Sequence, residues 1–478
     1  MKKSAVELVG FAKSKLLKKG ESQTLEVKID MSDLTVYDAY GKGTYILEKG
    51  DYYLAYGQNS HDALNNIIVA KGGEASKLDG QSNAAFTYKI NVEADDFVTY
   101  SKSSTGATIS NRLSDADLNL YANTADQKIT YLSHSNWQGT YPTAAVALTC
   151  TNAQMVADMQ YGKEIADDKT ATMPTIGADN KLSLIDLMYE EFDNDELWNR
   201  LLDQLTDEEY VNLTLLGAST ISHATSVNAP GTKVQDGPAG IRGAEGSMAY
   251  PGETVMAATF NTQLVKELGE AFGTEMQYMG YGALYGPGAN IHRNAFGGRN
   301  FEYFSEDGVL SGLMLDAELT GFANVGIITY TKHFVLNDQE RNRYGVCVWA
   351  NEQTIREVYL KAFQTSIENP DCGTVGLMTS FNRLGCTWSG AHKGLLTDIL
   401  RNEWGFKGAV MTDAAVAGYM GVNGNQLALA NAVIAGQTLW LGDVRSQGYG
   451  EYMKKPVVKQ AIRQACKYNL YSQLRPVQ

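Results

Sequence analysis

From about Leu182 onward the chain alternates short apolar runs, each ending in a polar side chain, with longer stretches of helical period, and that rhythm leaves few folds open. The apolar runs fall at Thr232 to Gln235, Tyr281 to Tyr285, Ile327 to Thr331, Thr374 to Met378, Ala409 to Met411 and Thr438 to Leu441. Helical stretches fall at Asp195 to Leu205, Thr262 to Tyr278, Glu352 to Asn369, Leu395 to Trp404 and Asn425 to Ala435. Strands and helices in that order predict parallel strands joined by crossover helices, in a barrel or a doubly wound sheet. The polar residues at the strand ends separate the two. Asp236 comes after the first strand, the run Gly286 to Asp307 after the second, Lys332 and His333 after the third, Ser380 to Asn382 after the fourth and Asp413 after the fifth. In a parallel barrel all of these meet on the C-terminal rim, whereas a doubly wound sheet spreads them along a crevice, so a closed barrel is the better expectation.

The run Gly286 to Asp307, GPGANIHRNAFGGRNFEYFSED, sets two arginines, a histidine and four aromatics among glycines. Arginine forks, amides and aromatic faces suit a neutral, hydroxyl-rich ligand held beside carboxylates. A single arginine there would read as a packing cluster tied to Glu302, Glu306 and Asp307; the whole run reads as a pocket wall. Asp413, in GAVMTDAAVAG, directly follows an apolar strand. Ionised at a rim, it can attack a sugar's anomeric carbon. The same residue type also caps a following helix, and the sequence leaves both readings open. Lys332-His333, in TYTKHFVLNDQERNR, offers two donors at a strand end, although adjacent strand residues point to opposite faces. Asn337, Gln339, Glu340 and Arg341 are expected to brace the site. Asp236 lies in QDGPAGIRG, where a tight turn can aim its carboxylate at two sugar hydroxyls, or serve turn geometry alone.

Composition excludes other classes. A net charge of −14 and a pI near 5.0, with no long basic block, argue against a nucleic-acid partner. No run approaches membrane-spanning length, and the N-terminus lacks a sustained apolar segment, so no membrane association is expected and the protein is read as soluble, not exported and cytoplasmic. The five cysteines are scattered and the six histidines form no ligand pair at helical spacing. Reduced structural thiols, no metal and no cofactor are expected.

Three regions are expected: 1–73, 74–181 and 182–478. The first reads as β-structure, with alternation over Leu25 to Met31 and a hairpin at Thr44 to Gly57 turning at Lys49-Gly50-Asp51. The second, rich in Ser, Thr, Ala, Asn and Asp, carries strand-like pieces at Phe86 to Val92 and Ile129 to Leu132 and reads as an extended linker. Trp137 and Tyr141 favour adherence of that linker to a folded surface over disorder.

The segments QDGPAGIRG, GPGANIHRNAFGGRNFEYFSED, TKHFVLNDQE, LMTSFN, LLTDILRNEWGF and AVMTDA occur in an order and spacing that resemble the barrel domain of family 3 glycoside hydrolases, the β-glucosidase family, over about Leu182 to Leu441. The resemblance implies a TIM-type (β/α)8-like barrel and a retaining exo-acting β-glycosidase. It assigns the nucleophile to Asp413 and sugar binding to Asp236, Arg299, Lys332 and His333, with Met378 and Phe381 lining the same subsite. The substrates implied are β-glucosides or short β-linked oligosaccharides. FAKSKLLKKGESQTLEVKID and YILEKGDYYLAYG are similar to later strands of that family's fibronectin type III-like domain, and ITYLSHSNWQGTYPT to its linker. A fibronectin-like part ahead of the barrel resembles the circularly permuted members. The expected fold is therefore α/β: a partial fibronectin type III-like β-sandwich, an extended linker, then the barrel.

Three departures from the family pattern matter. The family's general acid is a Glu on an α/β sandwich domain that this sequence lacks, so a sandwich domain or partner chain is expected to supply it. Retention needs two carboxyls roughly 5–5.5 Å apart, and the resemblance assigns Glu302, Glu306 and Glu340 to scaffold. Ala414 stands where Trp usually follows the nucleophile, and Phe381 where Tyr is common. Ala414 bears on substrate more than on activity and Phe381 on tuning, whereas the missing acid favours an incomplete site or the alternative reading, a non-catalytic carbohydrate-binding protein.

Overall fold

A computed structural model of the chain describes residues 3–122, 128–141, 143, 164–165, 168–415 and 425–474. Cys150, part of the expected linker, and the residues after Ala415 in the Asp413 segment lie outside them. The chain divides into two units, 1–111 with 118–149, and 112–117 with 150–478.

In the first unit, β1 (Val36–Tyr37) pairs antiparallel with β2 (Tyr45–Ile46), and β3 (Gly50–Ala55) pairs antiparallel with β4 (Thr87–Val92). The expected hairpin at Lys49-Gly50-Asp51 is therefore not formed. β3 instead takes a six-residue ladder from Gly50↔Val92 to Ala55↔Thr87, which satisfies more backbone than a two-residue strand could offer. Between the two lies α1 (Ser60–Ala70), which sequence reasoning did not expect; the Asn59 side chain caps it by accepting from the Asp62 amide at 2.9 Å. Two further strand expectations fail. Leu25 to Asp30 is exposed and has no ladder partner among the described residues, Met31 opens a 3-10 turn, and Ile129 to Leu132 joins no strand.

The second unit holds α2 (Asp195–Leu202), α3 (Asp207–Leu215) and then two four-stranded sheets. The first sheet runs β5 (Thr220–Ile221), β6 (Thr232–Asp236), β7 (Ala283–Tyr285), β8 (Ile328–Thr329). The helices α4 (Glu253–Ala257) and α5 (Thr262–Tyr278) connect β6 to β7, and α6 (Gly308–Asn324) connects β7 to β8. The second sheet is ordered β15-β14-β11-β9, all parallel: β9 (Thr331–Phe334), β11 (Gly376–Thr379), β14 (Ala409–Ala414) and β15 (Leu439–Leu441). Only Tyr330 separates β8 from β9. A small third sheet pairs β10 (Cys347–Val348), β12 (Arg383–Leu384) and β13 (Thr387–Trp388). The helices α7 (Lys361–Glu368), α8 (Gln426–Ala435) and α9 (Pro456–Leu474) follow β10, β14 and β15, and Gly394–Glu403 forms wide π-type turns before β14.

All six apolar runs of the sequence are strands, and five of the helices begin where an Asn, Asp or Thr side chain caps the first turn: Asn194, Thr206, Asn261, Asp307 and Asn425. β5 departs from a strict βα repeat. It pairs antiparallel with β6, Thr220↔Lys233, because ten residues between them leave no room for a crossover helix, and Asn228 turns the chain at a φ of 50°. After β15, the Leu216↔Asp443 bridge and the Gly217 amide donating to the Gly442 carbonyl at 3.0 Å tie the last strand to the residues before β5. Val234, Ala283, Tyr330, Met378, Met411 and Leu439 form an apolar cluster between the strands. A second cluster, with Trp198, Tyr210, Leu429, Trp440 and Ile462, packs the flanking helices. No helix among the described residues is long and apolar enough to cross a membrane.

Candidate active site

Register brings the predicted residues together. β6 ends on Asp236, opposite Tyr285 at the end of β7. The chain that leaves β7 runs on parallel to β9: the Lys332 amide donates to the Pro287 carbonyl at 2.9 Å and the Ala289 amide to the Lys332 carbonyl at 2.7 Å. Asn290 then clamps His333 by its backbone, accepting from its amide at 2.8 Å and donating to its carbonyl at 2.9 Å. Met378 pairs with Met411, so Asp413 stands two residues further up β14. The parallel strands thus carry Asp236, the pocket-wall run, Lys332-His333 and Asp413 to one end.

There the side chains form a connected charge network. Lys332 Nζ donates to Asp236 Oδ1 at 2.7 Å and lies 3.6 Å from Glu302 Oε2. Both side chains of the Lys332-His333 pair face the site, although strand alternation would have split them. Arg242, in the turn after Asp236, donates to Asp236 Oδ2 at 3.3 Å. Burial works against the Asp236 carboxylate, but Lys332 and Arg242 outweigh it and hold its pKa below the ordinary range. Arg299 pairs with Glu302 through Nε and reaches toward Glu340, 4.0 Å away. Its guanidinium sits 6.0 Å from the Tyr303 ring.

His333 Nε2 lies 3.5 Å from Asp413 Oδ2. The other ring nitrogen meets the Tyr303 hydroxyl at 3.0 Å, and Asn337 donates to that same hydroxyl at 3.1 Å. Burial, with Arg299, Lys332 and Arg343 nearby, pushes the His333 pKa well below its ordinary value, so the ring is neutral. Asp413 Oδ1 accepts from the Ala414 amide at 2.7 Å, while Oδ2 has no hydrogen-bond partner among the described residues. Burial raises the Asp413 pKa to about 6 against the Ala414 amide and the charges of Arg299, Lys332 and Arg343. The helix-capping reading of Asp413 falls on residues 416–424, which lie outside the described residues.

Phe381 is buried, with the Arg343 guanidinium 4.8 Å from its ring and the Tyr344 ring set edge-on at 4.8 Å. Met378 belongs to the apolar cluster between the strands and makes no part of the polar network. Glu302 is sealed between Arg299 and Lys332, whereas Glu306 is exposed and Asp307 caps α6. Sequence reasoning missed Arg242, Arg343, Tyr303 and Asn290. Arg242 and Arg343 stood inside the quoted segments, and their distance from the strand ends hid them. Cys372 and Cys466 are free, buried thiols, and no group of three or more His, Cys, Asp or Glu fit to hold a metal occurs among the described residues.

Known proteins share this arrangement of sequence. Residues 205–465 match the model of the glycosyl hydrolase family 3 N-terminal domain, and residues 1–60 that of a fibronectin type III-like domain. Beta-glucosidase A of Butyrivibrio fibrisolvens is 30% identical over 480 residues, 96% of this chain and 52% of that protein. The beta-glucosidase of Ruminococcus albus is 30% identical across 86% of this chain and 40% of its own length. The chain thus spans about half the length of these relatives. Among solved structures, a beta-glucosidase from Kluyveromyces marxianus in complex with glucose aligns over 59% of this chain and 34% of that one, with a TM-score of 0.53 and 27% identity. One from Paenibacillus barengoltzii covers 97% of this chain and 49% of its own, at a TM-score of 0.66 and 21% identity, which speaks for shared fold. With more than half its length matched by one domain model, this chain belongs to glycosyl hydrolase family 3.

Proposed function

We propose that this chain carries the nucleophile-bearing half of a retaining exo-β-glycosidase site, acting on terminal β-D-glucosyl residues of β-glucosides or short β-linked oligosaccharides. The observation that carries it is Asp413: a buried carboxylate at a strand end, with one oxygen fixed by its neighbour's amide and the other unclaimed beside neutral His333. Above pH 6 it is ionised, and Oδ2 attacks the anomeric carbon as the glycosidic C–O bond breaks, forming a glycosyl ester. Asp236, whose charge Lys332 and Arg242 secure, accepts from sugar hydroxyls, while Lys332, Arg299 and His333 donate to them. Phe381 and Met378 close the apolar side. Water then releases the sugar with retention.

The leaving oxygen needs a proton, and the carboxylates beside Asp413 are engaged: Glu302 by Arg299 and Lys332, Glu340 by Arg343 at 3.2 Å. We assign the acid to a sandwich domain or a partner chain. The same observation supports a second reading, sugar binding without turnover. Substrates with different leaving groups separate the two. An activated aryl glucoside, 2,4-dinitrophenyl β-glucoside, departs without a proton, so a live Asp413 reacts with it and stalls on an alkyl β-glucoside. No reaction with either, together with glucose affinity unchanged by Asp413→Asn, would sink the catalytic reading. Rapid cleavage of the alkyl glucoside would place an acid within this chain.

A further inference from the structure

In the reaction proposed above, neutral His333 gives a hydrogen bond to the sugar, yet a neutral imidazole carries one hydrogen, on either nitrogen. Which nitrogen carries it follows from the ring's neighbours. His333, Tyr303 and Asn337 are 1%, 2% and 2% exposed, so their polar atoms answer to one another. Asn290 clamps the His333 backbone at 2.8 and 2.9 Å, and the ring stands edge-on to Tyr303 at an interplanar angle of 82°. That setting turns Nδ1 to the Tyr303 hydroxyl, 3.0 Å away, and Nε2 to Asp413 Oδ2, 3.5 Å away.

The hydroxyl has one hydrogen and meets two groups. Asn337 Nδ2, at 3.1 Å, is an amide nitrogen that only donates, so the hydroxyl oxygen accepts there and its own hydrogen is left for Nδ1. With Nδ1 accepting, the hydrogen of the ring stands on Nε2, toward the pocket. The opposite order puts the hydrogen on Nδ1, aims the hydroxyl hydrogen at an amide nitrogen, and sets the Nε2 lone pair against a carboxylate oxygen at 3.5 Å. A doubly protonated ring fails as well: Nδ1 and Asn337 would both donate to the hydroxyl, whose own hydrogen would lose its acceptor. The charges around the ring agree. Burial, then Arg299 from the run after β7, Lys332 from β9 and Arg343 from the turn beyond it, disfavour a second proton, and Asp413 from β14 is the carboxylate that Nε2 faces. Asp413 Oδ2 makes no hydrogen bond among the described residues, so the Nε2 hydrogen is open to a ligand.

We propose that Tyr303, itself oriented by Asn337, is a positioning residue that fixes His333 as the Nε2–H tautomer, so that the one hydrogen of the ring points into the pocket for a sugar hydroxyl to accept beside Asp413. This rests on the sugar-site reading above and deepens it by naming the hydrogen that is donated and the residue behind it.

Nitrogen-15 NMR of the chain labelled at its six histidines tests it at pH 7, because a ring nitrogen that bears hydrogen and one with a bare lone pair resonate far apart. The pair of signals lost in His333→Gln identifies the ring. Wild type is expected to show Nε2 bearing hydrogen and Nδ1 bare. Hydrogen on Nδ1, alone or together with Nε2, overturns the proposal whatever the chain binds. In Tyr303→Phe the Nδ1 signal should move toward that of an unbonded lone pair, and glucose affinity by calorimetry should fall about tenfold, the worth of one hydrogen bond. Lost affinity with an unmoved Nδ1 signal makes Tyr303 a packing residue and overturns its positioning role, as does a moved signal with unchanged affinity. A wild-type chain that shows the Nε2–H tautomer and binds no glucose refutes the sugar-site reading and the role of Tyr303 with it, a result distinct from either spectral failure.

Discussion

Asp413→Asn tests the site through stability rather than rate. Asp413 has an ordinary pKa of 3.8 and reaches about 6 in the folded chain, chiefly because burial disfavours its charge. For an acid raised on folding, the favourable contribution belongs to low pH and is lost as pH rises from 3.8 to about 6. At neutral pH the folded protein therefore bears a cost near 1.36 kcal/mol for each of about two units, roughly 3 kcal/mol. Asparagine keeps an oxygen for the Ala414 amide and cannot ionise, so it removes that cost. With about 2.1 cal/mol/K per residue over the roughly 330 residues of the second unit, ~3 kcal/mol corresponds to a rise in melting temperature of about 4 °C. The assay is thermal unfolding of both chains from pH 4 to pH 8. The variants should nearly coincide at pH 4 and separate progressively to pH 6, then run parallel, while the reaction with the activated glucoside disappears. A variant less stable than wild type at pH 7, or a gap that does not widen between pH 4 and 6, refutes the account of Asp413 as a buried carboxylate kept charged for use.

Other positions carry predictions of different kinds. The wild-type rate on 2,4-dinitrophenyl β-glucoside should fall about tenfold for each pH unit below 6, following the ionised fraction of Asp413, which a pH–rate profile reads directly. Tyr303→Phe removes the hydroxyl shared by His333 and Asn337 and should cost about 1–3 kcal/mol in kcat/KM on that substrate, with little change in the circular dichroism spectrum. Glu352 accepts from the Arg112 and Leu113 amides at 2.8 Å and from Arg356, which also pairs with Glu403; Glu352→Ala leaves Arg356 half-paired and buried and should cost about 3–5 kcal/mol in denaturant unfolding. Gly376 lies in β11 where a Cβ would stand 2.4 Å from the Thr329 carbonyl, so Gly376→Ala should destabilise by about 1–3 kcal/mol on the same assay.

Much of the second unit could be read from sequence because its strands are short apolar runs that end in polar residues, and each run is a strand. The helix α6 escaped because it is apolar nearly all round, so no period marks it; only its cap, Asp307, was in view. The hairpin at Lys49-Gly50-Asp51 failed for the opposite reason. Its turn chemistry was local, whereas the partner strand of β3 begins at Thr87, after a helix, and no local signal reports a ladder closed at that distance. In the site, Asp236, Lys332, His333 and Asp413 were each visible as polar residues at strand ends, and Arg299 stood in the glycine-rich run after β7, where the family resemblance singled it out. What could not be read was pairing: that Lys332 serves Asp236, that Tyr303 holds the His333 ring, and that Arg242 and Arg343 reach back from their turns.

The pocket differs from the buried Arg356 group in how fully its polar atoms are satisfied. The Arg356, Glu352 and Glu403 group is buried, yet its carboxylates accept from amides and from both ends of the guanidinium, at 2.7 to 3.2 Å. Such a group is closed and has nothing left to offer a ligand. Around β9 and β14 the pattern reverses: Asp413 Oδ2, Glu340 Oε1 and Asn337 Oδ1 are buried acceptors with no hydrogen bond among the described residues. Each orphaned acceptor costs about 1–3 kcal/mol, and a folded chain that satisfies Glu352 so fully has no difficulty of principle in satisfying these. Hydroxyl groups are donors of the right size and number to do so, and in the proposed reaction the one oxygen that forms a covalent bond, Asp413 Oδ2, has to stay free of any. Stability forgone at these three atoms is what a sugar-holding pocket would require, and replacing Asn337 by Leu, which removes an orphan costing about 1–3 kcal/mol along with a bond to the Tyr303 hydroxyl worth about 1 kcal/mol, should on balance raise stability while weakening glucose binding. If Asn337→Leu instead leaves glucose affinity unchanged, its acceptor serves the scaffold, and the inference from orphaned atoms to ligand contacts fails at that position.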